Sequence, residues 1–318
     1  MSLSQIVEKY EPKLLERDYM VMYGNLHDGV IEFPAITRDN QIIEVGSYFS
    51  DHKKLKPKNI IGIAPQAGCP SKCGFCEYGV EPYVRDVTPD EMYEQVMMML
   101  DLEYRLGVNI DTEKHKVSIA RGGEPLLNDR LIEGMEKIAQ HGMSFKVSTV
   151  FPYSKKIENM LYDVARFDAQ HDEPVQIQLS LISTSEEYRK SITGIRVATF
   201  EEIRRVCDNY RNINPDGRTF NVSLILSEET PCNVDDVAGI LPPSMFNFRF
   251  RPYVPNQNGE SHSLEKIDGD KLNDLKNSFR DKGYDIKSWA TPTPIEEKFR
   301  LSGSVTRHRY LRMLAEEI

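Results

Sequence analysis

Residues 59–76 read NIIGIAPQAGCPSKCGFC: an apolar, strand-like run at Asn59–Gln66 leads directly into Cys69, Cys73 and Cys76. The run is short, rich in isoleucine and closed by glycine and proline, as a strand ending in a loop should be. From here onward short strand-like runs alternate with longer helical ones. Strands are predicted at Asn59–Gln66, Lys116–Arg121, Ser144–Val150, Val175–Ile182, Thr219–Leu226 and Met245–Arg251. Helices are predicted at Pro89–Leu106, Asp129–Gln140, Ser154–Phe167, Phe200–Asn212 and Val234–Leu241. Alternation of this kind implies βα units and a parallel sheet.

Helix boundaries are marked independently. Thr88-Pro89-Asp90-Glu91 combines a hydroxyl cap, a proline at the first helical position and a glutamate that completes a capping box, and Thr199-Phe200-Glu201-Glu202 repeats the T-x-x-E pattern. Gly107 and Gly142 stand where helices should stop. After about Asp268 one more amphipathic helix and a strand at Tyr284–Trp289 are expected.

Six βα units are too few for an eight-stranded barrel. The later strands also alternate, whereas parallel strands covered on both faces read apolar throughout. Gln176, Gln178 and Ser180 share one face; so do Thr219, Asn221 and Ser223, and Asn247, Arg249 and Arg251. The fold class is therefore α/β, a partial (β/α)6 TIM-like barrel with a polar-lined interior. A sheet with one face in water would alternate in the same way. Residues 1–58 form an N-terminal extension of weaker patterning, 59–260 the core, and 261–318 a C-terminal extension.

With 40% hydrophobic and 28% charged residues among 318, the chain has the composition of a soluble globular protein. No apolar run approaches the roughly 18 residues that span a bilayer, and Met1–Tyr10 is not a signal peptide. The cytoplasm is the expected location, with no membrane partner. A net charge of −9 speaks against nucleic acid, whose binders neutralise phosphates. The basic stretch Lys53, Lys54, Lys56 and Lys58 reads as a solvated loop.

Five cysteines, an odd count without a leader, argue against a disulfide framework. Three thiolates at x3 and x2 spacing on a Gly/Pro loop can converge on an iron–sulfur cube. Most [4Fe–4S] sites take four cysteines, and neither Cys207 nor Cys232 is near in sequence, so one iron would stay open to another molecule. The rival is zinc, completed by His115 or Cys232 from a distance.

Cys69-x3-Cys73-x-Phe75-Cys76 resembles the signature of the radical S-adenosylmethionine (SAM) superfamily. The resemblance implies a [4Fe–4S] cluster whose open iron is chelated by SAM, reductive cleavage to a 5′-deoxyadenosyl radical, and hydrogen abstraction from substrate. It also implies an electron donor such as flavodoxin or ferredoxin. Gly122-Gly123-Glu124-Pro125, after the second strand, resembles the family's GGEP element, whose backbone and glutamate receive the SAM amino group.

A narrower similarity, over residues 59 to 255, is to the methyltransferases that modify adenine C2 in 23S ribosomal RNA and tRNA. Gln66-Ala67-Gly68-Cys69, Gly123 to Asn128, Val147-Ser148-Thr149, Ser180-Leu181 and Arg251-Pro252-Tyr253 carry it, with Ile182 where a histidine is expected. The SAM contacts so implied are Phe75, Gly122, Gly123, Glu124, Ser148, Ser180 and Leu181. That branch needs two further cysteines. The methyl carrier would lie seven residues before Cys69, where this chain has Gly62; the second would fall at Ser302-Gly303. No cysteine follows Cys232. Without thiolates that covalent route has no nucleophile.

Asn247, Arg249 and Arg251 are candidates to clamp a carboxylate or phosphate, with an ordinary salt-bridge face as the alternative. Tyr78, Tyr83 and Arg85 follow the cysteine loop and are placed to cover it. Cys232 is the candidate catalytic residue, as hydrogen-atom donor or second metal ligand, against a buried structural role; Cys207 reads as packing. The expected function is a radical SAM enzyme acting on a small, anionic or nucleoside-like molecule. The alternatives are RNA adenine methylation by a route without the missing cysteines, and a metal-binding scaffold with a degenerate site.

Overall fold

The computed structural model describes residues 21–25, 28–50, 57–108 and 115–288. Lys53, Lys54, Lys56, Trp289 and Ser302-Gly303 lie outside the described residues. The chain forms two compact units: one takes in the described residues of 21–68 and 83–146, the other 69–82 and 147–288. No helix among the described residues is long and apolar enough to cross a membrane.

In the first unit β1 (Val21–Asn25), β2 (Asp28–Ile36) and β3 (Ile42–Ser50) form an antiparallel meander. β3 pairs antiparallel with β4 (Lys58–Ile63), which pairs parallel with β7 (His115–Ile119). A small antiparallel ribbon joins β5 (Gln66–Ala67) to β6 (Arg85–Asp86). α1 (Pro89–Leu106) starts with the expected capping box at Thr88 and stops at Gly107 in the left-handed region. It is held to β4 and the residue that follows by buried amides. Asn59 Nδ2 donates to Glu103 at 2.6 Å, and the Gln95 side chain bonds both Ala64 N and Ala64 O. α2 (Leu131–Ala139) rests on α1 where Gly134 meets Met92.

β8 (Ser144–Thr149) ends in the second unit, followed by α3 (Lys155–Gln170). Then come β9 (Val175–Ile182), α4 (Glu186–Ile192), α5 (Phe200–Ile213), β10 (Phe220–Leu226), α6 (Asp235–Ala238) and β11 (Phe246–Pro252). α7 (Gln257–Ser261), α8 (Gly269–Asp281) and β12 (Ile286–Ser288) complete it. β9, β10, β11 and β12 pair in that order, all parallel. Their apolar face meets the helices. Phe220 lies edge-on to Tyr210 of α5 at 5.3 Å, and Phe248 and Phe250 pack on Phe279 of α8 at 4.8 and 5.0 Å. The polar residues of these strands occupy the opposite face, as the period-2 pleat requires.

The chain is thus mixed α/β with a mostly parallel sheet. Strand bounds at Val175–Ile182 and helix bounds at Pro89–Leu106 match those predicted. The antiparallel meander β1–β3 was not foreseen in the weakly patterned N-terminal stretch, nor were the short helices α4 and α7.

Thr199 caps α5 with its hydroxyl on Glu202 N, and the Glu202 carboxylate returns to Thr199 N at 2.9 Å. Thr199→Ala should therefore destabilise the fold by about 1 kcal/mol, read as a lowered urea midpoint at unchanged m-value.

Candidate functional site

The cysteine loop lies outside any strand, so its backbone groups need partners from elsewhere. Within the second unit they have them. Asn258 Nδ2 donates to Cys73 O at 3.0 Å and to Cys76 O at 2.8 Å. Asn256 Nδ2 donates to Phe75 O at 2.9 Å, while its Oδ1 accepts from Gly259 N and caps α7. Gly74 N–H donates to Ile192 O and Gly194 N–H to Ser71 O, both at 2.8 Å. Cys69 and Cys73 are buried and Cys76 is half-buried.

Among the described residues no three His, Cys, Asp or Glu side chains converge on a point where one metal ion would sit. A cubane needs no such single point, because each thiolate binds a different iron. The donor set, three thiols on a loop braced through its backbone, fits a cluster.

Phe75 packs against Ile182, Ile192, Tyr253 and Leu264. Ile182 has φ 71°, and Ser183 N–H donates to Leu181 O at 2.7 Å across it. This is a γ-turn of the rare positive-φ kind, strained for a β-branched residue. Such strain concentrates at functional sites. The same turn anchors the loop of Cys232: Ser183 Oγ donates to Pro231 O, and Thr184 Oγ1 accepts from Asn233 N at 2.8 Å. Burial, with Asp236 nearby, pushes the Cys232 thiol up to about 12, so it stays protonated at neutral pH. Cys207 is fully buried in α5, and burial raises its thiol as well.

The polar faces of β9, β10 and β11 line up in register. Gln178, Asn221 and Asn247 are direct neighbours, as are Ser180, Ser223 and Arg249; Arg251 lies opposite Ile225. Asn247 Nδ2 is engaged by Thr219 Oγ1 at 2.7 Å. Ser148 Oγ, on β8, is buried and has no hydrogen-bond partner among the described residues.

In the first unit, Gln66 organises the glycine turn. Its Oε1 accepts from Glu124 N at 2.8 Å, and its Nε2 donates to Asp86 at 2.8 Å. Gly123 has φ 118°, and a Cβ there would lie 2.7 Å from Gln66 Cβ, so only glycine fits. Glu124 is buried and accepts from Leu126 N, capping the turn Pro125–Leu127. Arg85 is bound by Asp39 and Glu91, and Tyr83 OH donates to Asp86. Tyr78, in the second unit, is buried.

Arg121 supplies the feature that sequence reading missed. Glu32, Gly46, Gly62 and Ser118 are consecutive cross-strand neighbours over β2, β3, β4 and β7. The Arg121 side chain lies across the two glycines and ion-pairs with buried Glu32. A Cβ at Gly62 would fall 2.8 Å from Arg121 Nε and 3.2 Å from its Cγ.

The radical SAM superfamily matches residues 63–240. The probable dual-specificity RNA methyltransferase RlmN of Clostridium beijerinckii is 27% identical over 217 residues, 67% of this chain and 56% of its own length. The protein of the same name from Desulfitobacterium hafniense (strain DSM 10664 / DCB-2) is 23% identical over 239 residues, 72% and 63% of the two chains. The chain thus spans 56 to 63% of these curated relatives. A crystal structure of a radical SAM methyltransferase from Sphaerobacter thermophilus matches with a TM-score of 0.68 at 17% identity, covering 91% of this chain and 84% of that one. Streptococcus suis SuiB bound to S-adenosylmethionine matches with a TM-score of 0.50 at 12% identity, covering 73% and 50%. At these identities the likeness shows the fold, the partial TIM-like barrel. Superfamily members use a [4Fe–4S] cluster and SAM.

Two outcomes follow from the bracing. Asn258→Ala removes the two side-chain bonds to Cys73 O and Cys76 O, leaving only backbone donors there, and should lower retained iron and visible absorbance after anaerobic gel filtration, with little change in far-UV circular dichroism. Gly62→Ala drives a methyl group into the Arg121 side chain. It should cost about 1–3 kcal/mol by urea unfolding, and markedly less in an Arg121→Met/Glu32→Gln background.

Proposed function

Because the chain belongs to the radical SAM superfamily, we propose that it is a hydrogen-abstracting enzyme for a small, anionic or nucleoside-like substrate, working without a methyl-cysteine step. Residues 59–260 form its catalytic core, and Cys69, Cys73 and Cys76 hold the cluster. When bound, cluster and SAM supply a 5′-deoxyadenosyl radical through reductive cleavage of SAM by an external electron donor.

The chain's own residues prepare for this chemistry. Glu124, with Gly122 and Gly123, receives the SAM amino group. Ser148, Ser180, Leu181 and Phe75 serve as further SAM contacts, and Arg249 and Arg251 face the substrate. Cys232, kept as a thiol by burial, suits transfer of a hydrogen atom better than nucleophilic attack.

The observation that carries this reading is the occupied space at residue 62. Where the RNA methyltransferase branch would place its methyl-carrying cysteine, this chain has glycine, and Arg121 lies over it. A thiol there would have to displace an arginine paired with a buried carboxylate. The names of the curated relatives favour the second reading, RNA adenine methylation by another route; for this chain the acidic net charge does not exclude it.

Product analysis separates the two. Under anaerobic turnover with dithionite, mass spectrometry should find 5′-deoxyadenosine without S-adenosylhomocysteine, with or without ribosomal RNA or tRNA. S-adenosylhomocysteine together with methylated adenine, surviving Cys232→Ala, would restore the methyltransferase reading.

A further inference from the structure

On β9, β10 and β11, four buried polar atoms have no hydrogen-bond partner among the described residues: Gln178 Oε1, Asn221 Nδ2, Ser223 Oγ and Arg249 Nε. The first three belong to side chains only 3%, 2% and 1% exposed. Burying a donor or acceptor without a partner is costly, and native interiors leave few such groups. These four fall on three adjacent strands in one continuous register: Gln178 beside Asn221, and Ser223 beside Arg249. They share the face turned away from the helices. Their neighbours are not all stranded, since Asn247 in the same row is satisfied by Thr219. What sets these four apart is their placement side by side on one face of three paired strands.

The chemistry of the two rows differs. In the first, an amide acceptor (Gln178 Oε1) lies beside an amide donor (Asn221 Nδ2), the complement of a carboxamide or lactam edge, which offers one donor and one acceptor. In the second, a hydroxyl and a guanidinium N–H both donate, the complement of an oxyanion. Residues two apart on a strand are about 7 Å apart along it.

We infer that Gln178, Asn221, Ser223 and Arg249 form a recognition site for a small molecule carrying an oxyanion and an amide-type edge about 7 Å apart. This rests on the reading of the protein as a small-molecule radical SAM enzyme and names the substrate class. Gln178 and Asn221 read the amide edge and Ser223 and Arg249 the anion, without water between them once the ligand is seated.

The probes are glutaramate, which has a carboxylate and a carboxamide at the two ends of a five-carbon chain, and its symmetric relatives glutarate and glutaramide. Each is titrated calorimetrically into the anaerobically reconstituted holoprotein with SAM present. Glutaramate should bind at least tenfold tighter than either relative. Arg249→Met should lose glutaramate and glutarate at least tenfold, and Asn221→Leu should erase the preference for glutaramate over glutarate. Without ligand, Ser223→Ala removes a stranded hydroxyl and should raise Tm by roughly 2–4 °C. Equal binding of the three probes, or a Ser223→Ala variant of lowered Tm, would overturn the inference. A tenfold loss of SAM affinity in Ser223→Ala would give the row to the cofactor, overturning the inference while leaving the radical SAM reading intact.

Discussion

The loop that carries the three thiols lies outside any strand, so its backbone groups draw partners from the loop itself and from other segments of the second unit. Its carbonyls accept from backbone N–H groups and from fixed side chains, and the side chains hold the loop in one geometry. Asn258 does this for Cys73 O and Cys76 O with a single amide nitrogen, and Asn256 does it for Phe75 O. Both asparagines follow β11, so the last strand of the predicted core positions the loop after the first. The arrangement also explains α7. A helix of five residues gains little from its own hydrogen bonds, but Asn256 caps it, and the cap and the brace are the same side chain.

Parallel register is the second organising constraint. In an antiparallel pair a two-residue turn fixes which residues face each other; here each strand returns through a helix, and the register follows from burial. Phe220, Phe246, Phe248 and Phe250 are each no more than 1% exposed. Slipping β11 by one residue would turn its three phenylalanines to the polar face and Asn247, Arg249 and Arg251 to the helices. The aromatic face thus holds the polar face in alignment, and Ser180, Ser223 and Arg249 are neighbours because the phenylalanines behind them are.

Much of this was legible in the sequence because it is local. Cysteine spacing, capping boxes and period-2 alternation each involve residues within a few positions of one another, and both capping boxes form as read. What escaped reading depends on residues far apart. Nothing near Asn256 or Asn258 marks them as partners of a loop some 180 residues earlier. β2 and β3 were hidden for another reason: Glu32 and Glu44 are buried in them, and a carboxylate inside a strand breaks the apolar pattern that announces it. The γ-turn at Ile182 was equally illegible, since isoleucine is among the residues least expected at positive φ.

Glu32 pairs with Arg121, whose side chain lies across two glycines. A buried carboxylate needs a cationic or hydrogen-bonding partner. Arg121, just before the Gly122-Gly123 turn, can reach Glu32 only across β4 and β3, and any side chain on that face would block the path. Gly46 and Gly62 are the two residues that path crosses; a Cβ at Gly46 would lie 2.9 Å from Arg121 Nη2, and one at Gly62 2.8 Å from Nε. The glycine at position 62 is therefore tied to Glu32 on β2, Gly46 on β3 and Arg121, so no side chain could be placed there by a single substitution without disturbing the pair. Glycine at position 62 and the ion pair are, in this chain, two aspects of one packing arrangement, and the residue next to the glycine turn is held by the strands that sequence patterning left blank.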